Sequence, residues 1–208
     1  VFGIVCAVGT DYRPVVEYLK NLLTRAHYSS REIKVSENFR EITLALGLHV
    51  NFCEKDEYAR IDSFMKAGTA IRNKLEEPGF AALDVAFRIC AGRTNAGGAR
   101  DRTLPRTAHI IISLKRTEGV DVLRQTYGPG FYLIGISSSE QERSHYLKTQ
   151  KGICEPNLGE LLRRDQKEEM EPNGQRTRDT FEEADVFVDL KDDQYQTCLN
   201  RFICLVFG

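Results

Sequence analysis

An α/β fold, with a mostly parallel sheet flanked by helices on both faces, is what this sequence predicts, and three observations predict it. Short apolar runs recur along the 208 residues, most plainly Thr107-Ala-His-Ile-Ile-Ile-Ser113 and Phe131-Tyr-Leu-Ile-Gly-Ile-Ser137. Their near-continuous apolarity suits strands covered on both sheet faces. Between such runs the apolar positions fall at helical spacing, and strands alternate with helices from end to end, as a parallel sheet with crossover helices requires.

Taken in order, Val1-Phe-Gly-Ile-Val-Cys6 reads as the first strand, Ala7 to Asp11 as a glycine loop and Val15 to Leu23 as an amphipathic helix. Ile33-Lys-Val35 is a second short strand, with Ser36 ahead of a helix from Glu37 to Leu46, and Asn51 to Glu57 is a polar break. From Tyr58 to Leu75 the spacing of Ile61, Phe64, Met65, Gly68 and Ile71 makes one buried helix face, and Pro78-Gly79 punctuates it before a helix from Phe80 to Cys90. Gly92 to Pro105, with three glycines, three arginines and no periodicity, is expected to be a mobile loop.

The two buried runs are joined by a helix from Glu118 to Tyr127 that Gly128-Pro-Gly130 closes, a strand-helix-strand unit suited to a right-handed crossover. Ser138 or Ser139 caps a helix running to Leu147, with Glu140 and Glu142 in its favourable first turn. A charged helix from Leu158 to Glu169 follows, then a short one from Thr177 to Ala184. A last strand from Asp185 to Leu190 and a closing helix from Asp192 to Phe207 complete the chain.

All 208 residues read as one domain. Because the chain opens on Val1 and ends while still apolar, in Arg201-Phe-Ile-Cys-Leu-Val-Phe-Gly208, it is expected to be part of a longer protein. Its 29 basic and 30 acidic residues nearly cancel, so no global field attracts nucleic acid or an anionic membrane. No apolar run approaches a membrane helix and no signal-peptide order opens the chain, so a cytoplasmic protein is expected. The six cysteines include no C-x-x-C pair, and Cys6, Cys90 and Cys204, in apolar surroundings, read as buried reduced thiols.

A strand running through a glycine loop into a helix is the usual cradle for phosphate, because loop amides and the helix amino terminus both present donors to an anion. Cys6-Ala-Val-Gly9-Thr10-Asp11-Tyr-Arg13 occupies that place. It departs from G-x-x-x-x-G-K-[ST], since with the turn aligned on Gly9, Tyr12 stands for the lysine and Arg13 for the hydroxyl. The missing lysine would neutralise phosphates and the missing hydroxyl would hold magnesium. Asp11 would repel a triphosphate unless a metal or Arg13 intervened, and a plain strand-to-helix turn remains an equal alternative.

Gly9-Thr-Asp11 and four further stretches carry a family resemblance. They are Ile61-Asp-Ser-Phe-Met-Lys-Ala-Gly-Thr-Ala-Ile-Arg72, Tyr127-Gly-Pro-Gly-Phe-Tyr-Leu-Ile-Gly-Ile136, Gly174-Gln-Arg-Thr-Arg-Asp-Thr-Phe-Glu-Glu-Ala-Asp-Val-Phe-Val188 and Arg201 to Gly208. Together they resemble the amino-terminal half of the anti-phage deoxycytidylate deaminases, two-part proteins that join a P-loop nucleoside-monophosphate-kinase-like domain to a zinc deaminase domain. The resemblance implies a regulatory nucleotide-binding domain whose full-length form converts dCTP or dCMP to the uracil nucleotide and depletes deoxycytidine nucleotides. It also implies a homo-oligomer, with a hexamer among the expected forms, and docking of a regulatory inhibitor. None of His27, His49, His109 and His145 begins an H-x-E, and P-C-x-x-C does not occur, so the zinc of such a deaminase is expected outside these residues.

Nucleoside monophosphate kinases clamp phosphates with arginines, whose planar fork matches phosphate geometry. Arg72 resembles the arginine on their helix, while Arg143, Arg163 and Arg164 fall where a lid would. With Gly9, Thr10, Asp11 and Arg13 they are the candidate nucleotide-binding residues, with magnesium as a conditional companion. Arg163 and Arg164 have a plainer alternative, pairing with Glu160, Asp165 and Glu168 on a solvated helix face. Asp179, Asp185 and Asp189 could hold magnesium through water, or simply cap and end the last strand. Arg93, Arg100, Arg102 and Arg106 lack interleaved aromatics, so nucleic acid is not the expected partner. Two alternatives stay open: an active deoxynucleoside monophosphate kinase, and a catalytically dead scaffold for oligomerisation or inhibitor docking.

Overall fold

A computed structural model describes residues 1–99, 102–168, 174–191 and 194–208. Five strands, β1 (Phe2–Cys6), β2 (Ser29–Lys34), β3 (Thr107–Ile112), β4 (Tyr132–Ser137) and β5 (Val186–Asp189), form one sheet in the order β2-β3-β1-β4-β5. Every pairing is parallel. The strand-helix-strand unit from 107 to 137 is present, but its strands do not pair with each other, because β1 lies between them.

The helices are α1 (Arg13–Arg25), α2 (Phe39–Ala45), α3 (Glu57–Leu75), α4 (Phe80–Asn95), α5 (Thr117–Tyr127), α6 (Glu140–Thr149), α7 (Asn157–Glu168), α8 (Thr177–Glu182) and α9 (Gln194–Phe207). Side chains alternate across β1. Phe2, Ile4 and Cys6 join Leu19 and Leu23 of α1 and Phe202 and Ile203 of α9 in one core layer. Val5 faces the other way, with Ile111 and Leu133, toward Ile71 of α3, Val85 of α4 and Leu123 of α5. Both faces are therefore covered, which is why β1, β3 and β4 could afford no polar alternation.

A third, smaller cluster stands apart from the sheet: Leu147 of α6 and Leu158, Leu161 and Leu162 of α7 close on Met65 of α3 and on Val8, just past β1. It is this cluster that brings the α6–α7 segment down onto the glycine loop.

Several boundaries differ from the sequence expectation. The second strand is Ser29–Lys34 rather than 33–35; it is the sheet's edge strand, and its mostly exposed residues hide the usual apolar signal. The fourth helix does not stop at Cys90. It runs to Asn95, taking in the first four residues of the supposed loop, and ends where Gly97 turns left-handed at φ 77° and Gly98 N–H donates to Arg93 O. The rest of that expectation falls partly on residues 100–101, outside the described residues, as do 169 and 192–193 at the ends of two expected helices. Cys6 is buried as expected, but Cys90 is half-buried and Cys204 exposed, because the last helix turns it away from the core. No helix among the described residues is long and apolar enough to cross a membrane.

Candidate functional site

β1 is the switch point of the sheet: the chain leaves it toward β3 and β2 on one side and later fills β4 and β5 on the other. Ligands in open parallel sheets sit beyond the carboxyl ends of the strands at such a point. Two structures meet there, the glycine loop after β1 and a cleft beside it.

The loop is sealed from within. Gly9 adopts φ 87°, and a Cβ there would lie 2.8 Å from Leu147 Cδ1 and 3.1 Å from Arg143 Cβ, so α6 rests directly on it. Val8 N–H donates to Asp165 Oδ2 at 3.0 Å, and Arg143 Nη1 donates to Val8 O at 3.0 Å. Asp165, only 5% exposed, thus holds an amide of the turn that a phosphate cradle would offer to its ligand. Its charge faces Arg143 at 3.9 Å. The seal is not fully satisfied, since Asp165 Oδ1 and Arg143 Nε are buried without hydrogen-bond partners. Thr10 is buried and its hydroxyl accepts from Ser138 Oγ at 3.2 Å.

Asp11 and Arg13 are occupied with each other. Arg13 forks onto both Asp11 oxygens at 2.7 and 2.8 Å and stacks on Tyr146, 5.4 Å from the ring centre. The hydrogen bonds from Arg13 hold the Asp11 carboxyl below its ordinary range. Magnesium does not fit this loop: it has no serine or threonine at the hydroxyl position, Asp11 is committed to Arg13, and Asp165 to Val8. Among the described residues no three His, Cys, Asp or Glu side chains gather as a metal site.

The lid candidates divide. Arg143 on α6 is buried in the seal. Arg164 on α7 pairs with Asp62 of α3, and Arg163 is exposed. Lys151, just past α6, adds an ion pair with Glu57 of α3 at 2.8 Å. So α6 and α7 are fastened to α3 by these ion pairs as well as through the small apolar cluster, and Arg163 and Arg164 lie away from the cleft that Arg72 lines.

The cleft, of about 230 Å³, opens between α3 and the carboxyl ends of β1 and β3. Phe39, Phe64 and Met65 give it apolar walls, and Arg60, Arg72, Lys115 and Arg116 make it cationic, with no carboxylate among the described residues of its lining. Each is held by the local fold. Arg72 is 7% exposed and its Nη2 donates to Thr69 Oγ1 at 3.0 Å one helical turn back. Gly68 lies between them and the wall: a Cβ there would meet Phe39 Cε2 at 3.1 Å, so the glycine lets the ring lie against α3. Arg60 pairs with Glu57, whose carboxyl this contact holds below its usual range. After β3 the backbone bends through Ser113 at φ 72°, a left-handed conformation that costs a non-glycine residue about 1 kcal/mol. The bend carries Lys115 to Cys6 O, and Arg116 to Glu118 and Gly174 O.

Sequence reasoning found Arg72 but missed Arg60, Lys115, Arg116 and Phe64 as parts of one site. Lys115-Arg116 had a usable signal, a basic pair directly after a buried strand, at the sheet edge where ligands bind. It missed the seal too, for Asp165 and Val8 are 157 residues apart.

No protein-family model matches the chain, and no curated protein matches it. Solved structures do. One is the crystal structure of a gluconokinase from Sinorhizobium meliloti 1021, at 13% identity and a TM-score of 0.50, over 99% of this chain and 94% of that one. The fold is kinase-like. At that identity the likeness speaks for the parallel α/β architecture and for nothing finer.

Proposed function

We propose that this chain is a nucleotide-sensing domain that takes a deoxynucleotide, of monophosphate size, into the α3 cleft and does not transfer phosphate at the glycine loop. One observation carries the reading: four cations and two phenylalanine rings line the cleft, and among the described residues no carboxylate does. Guanidinium and ammonium groups suit a phosphate, and the rings suit a base and a deoxyribose. The volume of about 230 Å³ is below the range of about 300–1,000 Å³ usual for small-molecule sites, which favours a small occupant over a triphosphate. The kinase alternative requires α6 and α7 to leave the loop and free the amide held by Asp165.

The domain serves, in this proposal, a deoxycytidylate deaminase acting against phage, whose zinc site lies outside these residues. What supports this is the resemblance of the stretches from Ile61 to Arg72 and from Gly174 to Val188. The first supplies Ile61, Phe64, Met65, Gly68 and Arg72 to the cleft and the second Gln175. The homo-oligomer belongs to the same proposal, and light scattering on the full-length protein at micromolar concentration tests it, a monomer being the contrary result.

Calorimetric titration of deoxynucleotides against wild type, Arg72→Ala and Arg72→Lys tests the cleft. A charge-assisted contact is typically worth about 1.5–3 kcal/mol, so Arg72→Ala is expected to weaken binding about 10- to 150-fold. Arg72→Lys recovers part of that, because an ammonium cannot fork. Affinity indifferent to both variants, or magnesium-dependent formation of a nucleoside diphosphate, would overturn the reading.

A further inference from the structure

The cleft is unbalanced in its hydrogen bonding. Its four cations only donate, and among the described residues no carboxylate lines it to accept. Ser36 and Ser113 also line it, but a hydroxyl rotates to donate or accept and so selects little. One side chain is different. Gln175 lines the cleft, and its Oε1 is buried without a hydrogen-bond partner.

A buried acceptor is normally paired, and one that is not calls for a reason. Loose placement is not the reason here. Arg116, itself 5% exposed, grips Gly174 O with Nη1 while its other nitrogens fork onto Glu118 at 2.9 and 2.6 Å. On the other side Arg176 N–H donates to Lys115 O at 2.9 Å. The backbone carrying Gln175 is therefore pinned on both sides to the strand extension that supplies Lys115 and Arg116 to the cleft. An amide held this firmly, with its oxygen unmet, fits a donor brought by the ligand. Phosphate, sugar ring oxygen and base carbonyls bring only acceptors, and the sugar hydroxyl, which rotates as the serines do, selects little. Where an amino base differs from its oxo analogue, the exocyclic amino group brings a donor in place of an acceptor.

Resting on the reading of the cleft as a nucleotide site, we infer that Gln175 is a specificity-determining residue whose amide oxygen accepts a hydrogen bond from the amino group of cytosine or adenine. An oxo base at the same place would set two oxygens against each other. A site built to hydrogen-bond one N–H rejects the analogue lacking it far more strongly than an apolar pocket rejects a change of shape.

The test uses two nucleotide pairs that differ only in amino against oxo, dCMP with dUMP and dAMP with dIMP. Each is titrated calorimetrically into wild type, Gln175→Leu and Gln175→Glu. Wild type is expected to prefer the amino member of at least one pair by about tenfold or more. Gln175→Leu should bring that ratio near one while leaving the oxo member's affinity little changed, a pattern that general damage to the fold would not give. Gln175→Glu keeps an acceptor of the same reach and should keep the preference even if the leucine variant fails to fold. Equal affinities in wild type, a preference for the oxo member, or a ratio that survives Gln175→Leu or disappears in a folded Gln175→Glu would overturn the inference while leaving the cleft a nucleotide site. Failure of all four nucleotides to bind folded wild type would overturn both.

Discussion

The glycine loop and the α3 cleft lie side by side at the end of β1 and share Val8, yet one is closed on itself and the other is open. At the loop, three groups that a phosphate would use are spent inside the protein: the Val8 amide on Asp165, Arg143 on Val8 O, Arg13 on Asp11. At the cleft four cations converge: Arg60 and Arg116 are paired with Glu57 and Glu118, which stand outside its lining, and no carboxylate among the described residues lines the space itself. The difference teaches that a strand-loop-helix outline does not make a phosphate site. What matters is whether the donors at the loop point at solvent or at the protein's own carboxylate.

The comparison breaks most directly at Asp165. Removing one partner of a buried charged pair typically costs about 3–5 kcal/mol, and Asp165→Ala, which strands both Arg143 and the Val8 amide, is expected to lose stability in that range by urea denaturation. Asp165→Asn retains an acceptor for Val8 and should lose about 1–2 kcal/mol. Pyrophosphate should raise the thermal midpoint of Asp165→Ala but not that of wild type. Losses well under 1 kcal/mol for both variants would mean that the seal is loose and the two regions are less different than they look.

Gly9 gives a smaller effect of the same kind. Its φ of 87° strains any side chain, and a Cβ would press on Leu147 at 2.8 Å. Gly9→Ala should therefore cost about 2–3 kcal/mol, the sum of a left-handed backbone penalty and mild overpacking. A cost of only about 1 kcal/mol, the backbone share alone, would show that α6 does not rest on the loop.

The smallest effect lies at the opposite end of β3 and separates fold stability from either site. Burial, helped by the amino-terminal ammonium, Arg31 and Arg93, lowers the His109 pKa from 6.5 to about 4. Between these values the unfolded chain takes up a proton that native His109 refuses. Stability should therefore fall as pH drops through that window, by on the order of 2 kcal/mol near pH 4. His109→Phe should flatten this slope in denaturation curves across the window. A slope unchanged by the substitution would assign the acid sensitivity to other groups.

The sheet was legible in the sequence wherever burial on both faces forced continuous apolar runs, as at β1, β3 and β4. β2 was not, because an edge strand with exposed residues carries little apolar signal. The end of α4 was expected at Cys90 because apolar periodicity stops there, whereas the helix continues on polar residues to Asn95 and ends where Gly97 has a left-handed backbone. Of the candidate site, Arg72 was singled out by its resemblance to the helix arginine of nucleoside monophosphate kinases, while helical spacing by itself reported only the apolar face on which Gly68 lies. The sealing of the loop was not legible, for it depends on α6 and α7 folding back on a turn some 130 residues earlier, and local pattern cannot report a contact between such distant segments.

Amide chemical-shift mapping during titration with the tightest-binding deoxynucleotide tests the central contrast most directly. Gly68, Ser113 and Gln175 are expected to shift with saturating ligand while Gly9 and Thr10 stay still. Large shifts at Gly9 and Thr10 with Gly68 and Ser113 unmoved would contradict it, and would return the phosphate to the glycine loop.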